Sequence, residues 1–221
     1  MSAAPDKYRV YYRDKFIGPN YRGWWHFAFT VSVSVLIAWW CISKLESVTG
    51  LEWITIPLTF LYANFSEYFG HRGPMHHKRP GLAQVYERHT KQHHVFFNED
   101  HMEFDSAKDF KAVLFPPILV VFFLLAFGTP MALLLAWLFS SNVAFLFALT
   151  GILYFLNYEL LHFAHHLPEE HFVARIPIMK KLRRHHTIHH DPRLMADYNF
   201  NISYPVADWV MAVSYTHLTL P

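Results

Sequence analysis

The sequence predicts an all-α integral membrane protein, with four transmembrane helices in two hairpins and a cytoplasmic, histidine-rich helical cap. Three observations predict it. Apolar residues make up 53% of the 221-residue chain and charged residues 16%, where soluble domains average about 25% charged. The apolar residues collect in four segments, and the 17 histidines collect just as unevenly. Cys41 is the one cysteine, which excludes an intramolecular disulfide framework and a thiolate zinc site. A net charge of +2 is too balanced for a nucleic-acid binder.

Residues 1–23 are polar and basic, so no cleavable signal peptide is expected. Their Tyr8, Arg9, Tyr11, Tyr12 and Arg13 read equally as an interfacial amphipathic segment or as a basic tail. Residues 24–42 carry no Lys, Arg, Asp or Glu, and residues 51–70 carry only Glu52 and Glu67. Residues 112–128 and 131–158 are charge-free. A span needs about 20 mostly apolar residues. The first two segments supply that directly, the third by borrowing from its flanks, and the fourth has length to spare for tilt. Pro57, Pro116 and Pro117 fall inside these segments, where a lipid-embedded helix accepts proline as a kink.

The breaks fall at residues 43–50, 71–111 and 129–130, which places the N-terminus, the long middle stretch and the C-terminus on one side. Eighteen of the 19 Lys and Arg lie on that side, with only Lys44 opposite. The positive-inside rule makes that side cytoplasmic. Trp24, Trp25, Trp39, Trp40 and Trp53 fit an interfacial belt and fit core packing equally well. The expected organisation is a cytoplasmic segment 1–23, a membrane domain 24–212, and a tail 213–221. That tail, VSYTHLTLP, reads as a translated sequencing adapter, which would set His217 aside.

Apart from His26 and His217, every histidine lies between His71 and His190, in two blocks that each begin where a span emerges. Residues three or four apart share a helix face. His89 and His93, His162 and His166, and His186 and His190 are each four apart, so each pair offers two imidazoles to one metal. His94 and His189, beside those pairs, turn toward a second metal nearby. His71 closes the second span and His76 follows across a turn, in a stretch too rich in Pro and Gly for a regular helix. So many imidazoles without cysteine suit iron, zinc or copper, and not calcium or magnesium. A lone histidine is more often a surface or core residue, but separate HH pairs that follow another His at three to five residues point to metal.

The arrangement resembles the membrane-bound fatty acid hydroxylase superfamily, also called sterol desaturase-like. Its H-x4-H falls on His71 and His76, and its H-x2–3-HH on His89, His93 and His94. Its H-x3-H falls on His162 and His166, and its H-x2-HH on His186, His189 and His190. The strings YERHTKQHH and LRRHHTIHHDPRLMADYNFNISYP are similar to bacterial members, and the resemblance covers roughly residues 55–211. It implies ten metal ligands, two iron ions (zinc being possible in purified protein) and dioxygen. It further implies a membrane di-iron oxygenase that hydroxylates or desaturates an unactivated C–H bond of a lipid. No flavin, nicotinamide or haem motif is present, so electrons must come from an external donor protein.

The resemblance leaves His77, His101, His165, His171 and His185 as extra, and His185 competes with His186 because either spaces well with the following pair. Glu67, Glu159, Asp191 and Asn199 are candidates to hold ligand N–H groups, although each singly reads as ordinary interfacial polarity. The alternative function is a histidine-rich divalent-metal transporter or metal-binding membrane protein. It needs polar groups inside the spans, and only Ser140, Ser141 and Asn142 form a mid-depth polar run. A zinc hydrolase, with three protein ligands, leaves most histidines unexplained.

Overall fold

The computed structural model describes residues 3–215; residues 216–221, and with them His217 and most of the suspected adapter tail, lie outside the described residues. Helices account for the regular structure. Among the described residues there is no strand, only an isolated bridge between Asn98 and His101. The chain forms two compact units. One comprises residues 24–63 and 114–159, the other residues 1–23, 64–113 and 160–221.

The first unit is the apolar one. Three stretches of the chain are long and apolar enough to cross a membrane: Gly23–Ser43, Ala107–Leu138 and Ser141–His165. The first two expose many apolar side chains, including Leu36, Leu125, Leu133 and Trp137, while Ser141–His165 is more buried, and such long apolar helices mark a membrane protein. The five tryptophans of residues 24–53 are also exposed rather than packed in a core. The remaining apolar segment gives Thr55–Gly70, a helix of 16 residues.

One expected break moves. Residues 129–130 do not end a helix, because the chain stays helical from Pro117 to Leu138. Pro130 has no N–H, and its ring crowds the carbonyl four residues back. The wider π turn Leu124–Gly128 just upstream absorbs that misfit. The turn comes instead at Phe139, and Ser140 Oγ caps the next helix by accepting the Val143 N–H at 3.2 Å. Ser140 also donates to Glu52 (2.5 Å), and Asn142 donates to the Glu46 carbonyl (2.7 Å). The polar run that a transport path would need therefore sits at a turn between helices.

Pro57 and Pro117 kink no helix interior. Pro57 lies in the first turn of Thr55–Gly70 and Pro117 opens Pro117–Phe123, positions that need no N–H partner. At the break before Pro116, Phe115 N–H donates to Glu159 and Phe115 C=O accepts from His26 Nε2, at 3.1 and 3.0 Å. Irregular backbone is thereby satisfied inside apolar surroundings.

The second unit carries the histidine blocks. Its N-terminal helix Ala3–Phe16 is neither tail nor loose segment. Tyr12 is buried against Phe96, Phe97, Ala112 and Val113, and Arg9 is buried as well. Helix Pro177–His189 opens on proline and buries Met179, Leu182, His185, His186 and His189. Those positions recur at three and four residues, as one helix face requires, while Lys180, Lys181 and Arg184 stay exposed. A smaller core of Tyr68, Phe200 and Ala207 anchors the loop before the short helix Val206–Val210.

Candidate metal centre

Two π turns place the first histidines. His71–Met75 is π-helical, and the His76 N–H donates to the His71 carbonyl five residues back at 3.2 Å. Glu87–His93 is π-helical too, and the His94 N–H donates to the His89 carbonyl. A π turn closes i to i+5, so it brings residues five apart to one side. His71 therefore pairs with His76, and His89 with His94, with Nε2 atoms 3.1 Å apart in each pair. This corrects the α-helical expectation for the His89 and His93 pair, which divides between two groups.

The first group, the His71 cluster, contains His71, His76, His89, His94 and His189; the second, the His162 cluster, contains His93, His162, His166 and His186. Within each, one ring nitrogen from every residue lies within 4.8 Å of all the others, and every ring is buried. His93, His94 and His190 form a third such set, which joins the two. All ten histidines named from the sequence thus come together in the second unit.

The ring orientations test whether these residues fit a metal. His93 Nδ1 donates to Ala112 C=O (2.9 Å), His166 Nδ1 to Met102 C=O (2.7 Å), His189 Nδ1 to Tyr198 C=O (2.9 Å) and His190 Nδ1 to Phe97 C=O (2.6 Å). His71 Nδ1 bonds Phe200 C=O in the same way. A proton committed to Nδ1 leaves Nε2 as a bare lone pair. Yet these Nε2 atoms face one another: His71 and His89 at 2.7 Å, His76 and His189 at 3.0 Å, His93 and His162 at 3.2 Å, His166 and His186 at 3.3 Å, His186 and His190 at 3.0 Å. Nitrogens this close share either a proton or a cation. Nitrogens about 2.1 Å from one metal stand about 3.0–3.4 Å apart, so the donor set fits.

Burial also keeps the rings neutral. It holds His71, His76, His89, His94, His166, His186 and His190 well below the ordinary imidazole value of 6.5, with neighbouring histidines pushing the same way. Burial brings His93 to about 3 and His189 to about 4, partly offset by their bonds to Ala112 and Tyr198.

The extra histidines sit elsewhere. His77 is exposed and donates to Arg72 C=O. His101 is exposed and His171 half-buried. His165 and His185 are buried. His165 Nε2 donates to Ile202 C=O (3.0 Å), and His185 Nε2 donates to Asp208 (3.0 Å). His186 faces His166 and His190 while His185 turns to Asp208.

The polar candidates hold other groups. Glu67 accepts from Ile202 and Ser203, Asp191 pairs with Arg193, and Asn199 donates to His185 C=O. Five of the ligand N–H groups, those of His71, His93, His166, His189 and His190, meet main-chain carbonyls, which no residue-type pattern could reveal. Asp208 was also missed. It is fully buried, and it accepts the N–H groups of Phe200 and Asn201.

A family model described as fatty acid hydroxylase matches residues 56–212, a stretch that contains all ten clustered histidines. The chain belongs to the fatty acid hydroxylase family. No curated protein and no solved structure matches it. Membership makes this fatty acid hydroxylase family member an oxidoreductase of the lipid hydroxylase and desaturase type. Its match begins well after the N-terminal helix, which packs in the same unit as the histidines.

Proposed function

We propose that the protein is a multi-pass membrane oxygenase whose non-haem di-iron centre hydroxylates or desaturates an unactivated C–H bond of a lipid. One observation carries this: in a family of lipid hydroxylases, two adjacent sets of neutral imidazoles aim their Nε2 lone pairs at common points. The proposed ligands are His71, His76, His89, His93, His94, His162, His166, His186, His189 and His190. Iron suits all-imidazole donors, and zinc fits the same set in purified protein. When bound, the metals supply the dioxygen chemistry, with electrons from an external donor protein.

The chain's own part is to hold and to exclude. Main-chain carbonyls fix the rings of His71, His93, His166, His189 and His190 by their Nδ1 protons, and burial keeps the rings neutral and ligating. Four membrane passes within a domain 24–212, with the histidine-rich unit on the cytoplasmic face, are supported by eighteen of 19 cations falling on one side. The third pass runs over residues 117–138, and Thr55–Gly70 is the short one.

The test is expression in a host followed by untargeted lipid analysis, with and without oxygen. A hydroxylated or unsaturated lipid should appear only with oxygen and only with the histidines intact. Identical lipid profiles for the wild type and a His186→Ala, His189→Ala double variant contradict the reading.

A further inference from the structure

We propose that the N-terminal helix Ala3–Phe16 is part of the metal centre, with Arg9 and Arg13 as positioning residues for the His162 cluster and His190. The proposal rests on the dimetal reading above and concerns residues outside the stretch that defines the family.

Three carbonyls orient this half of the array: Phe97 for His190, Met102 for His166 and Ala112 for His93. All three lie in one stretch of the chain, residues 97–112, and both arginines grip it. Arg9 Nε donates to Phe96 C=O (2.9 Å) and Nη2 to His101 C=O (2.8 Å). Phe96 and His101 are the residues immediately before Phe97 and Met102, so one rigid guanidinium spans both ends of the loop that carries two of the carbonyls. Its third arm reaches Asp105 at 3.2 Å, and its plane lies 4.9 Å from the Phe96 ring. The Phe97 ring in turn lies 4.1 Å from the His166 ring.

Arg13 continues the chain of contacts. It pairs with Asp109 through Nε at 2.8 Å and with Asp105 through Nη2 at 2.5 Å. Asp109 is fully buried and takes the N–H groups of Asp105 and Ser106, which starts the helical segment leading to Ala112. Arginine's fixed fork suits this work, because it satisfies several carbonyls in one set geometry, where lysine offers a single mobile point charge. The His71 cluster is oriented by Tyr198 and Phe200 instead. Loosening the arginine grip should therefore weaken one metal and spare the other.

The experiment uses the full chain in nanodiscs, stripped of metal and titrated with Co(II) alone while its visible absorption is followed. His186→Ala and His189→Ala identify the signal of each cluster. Wild type should bind two equivalents. Arg9→Gln should bind the His162-cluster equivalent about tenfold more weakly, the lower end of what losing an outer partner costs a metal site, with the other equivalent unchanged in affinity and spectrum. Arg9→Lys should fall between, and Arg13→Gln should weaken the same equivalent by less. Wild-type affinity at both sites in Arg9→Gln, or equal weakening of both, overturns the proposal. Should Arg9→Gln fail to fold, Arg9→Lys and Arg13→Gln decide by the same criterion. A wild type that binds fewer than two equivalents overturns the dimetal reading and this proposal with it, whereas two equivalents with unchanged variants overturn only the proposal.

Discussion

The His71 cluster takes four of its five histidines from π turns, in pairs five residues apart, whereas the His162 cluster takes His162 and His166 from the end of a long α-helix, four residues apart. The first is oriented by the loop that carries Tyr198 and Phe200, and the second by the stretch from Met102 to Ala112. Two neighbouring groups of one residue type are thus held by separate parts of the chain. Their metals should accordingly be separable by mutation, although His93, His94 and His190 bring them side by side.

The largest expected effect separates ligand from neighbour within the His162 cluster. His166→Gln should abolish product, while His165→Gln should retain most of it, because glutamine keeps a donor for the Ile202 carbonyl. Product assays on both variants check this. Equal loss would mean that the cluster is read in the wrong register.

Next in size is the counterpart at the other cluster. Asp208→Asn removes the charge that takes the Phe200 and Asn201 N–H groups and the His185 proton. It should weaken metal at the His71 cluster about tenfold and leave the His162 cluster as it was. Titration with Co(II) reads the two separately, and uniform weakening would erase the distinction between the clusters.

A smaller effect concerns acid. In metal-free protein His189 titrates at about 4 and His93 at about 3, against 6.5 for the free side chain. Between those values the unfolded chain binds protons that the fold does not. The stability contributed by these neutral rings is complete above about pH 6.5 and is lost as pH falls through that window. Denaturant melts of the stripped protein at pH 7.5 and 5 should show the drop, and a flat profile would mean that the rings are not buried as described. Smallest of all, His77→Gln should alter neither metal content nor product, since His77 is exposed and bonds only the local Arg72 carbonyl.

What the sequence revealed follows the same division. Charge-free segments show directly in residue type, and the helical spacing of His162 and His166 is visible because α-helices have one period. The spacing of His71 to His76 and of His89 to His94 belongs to a π turn, which no run of residue types announces, so α geometry assigned His89 and His93 to one metal. The helix that passes through residues 129–130 was hidden for a related reason, since a proline reads as a break until the π turn upstream is seen. Arg9 and Arg13 stand one helical turn apart in the sequence, but their partners lie some ninety residues away, and long-range pairing leaves no local trace. Main-chain carbonyls that orient imidazoles leave none either.

The most direct test is a metal count. The chain, reconstituted with ferrous iron without oxygen and freed of excess, should hold two iron ions. His186→Ala should hold one and His189→Ala should hold one. A wild type that holds a single ion, or two variants that each lose both, would contradict the account of two separately built, adjacent sites.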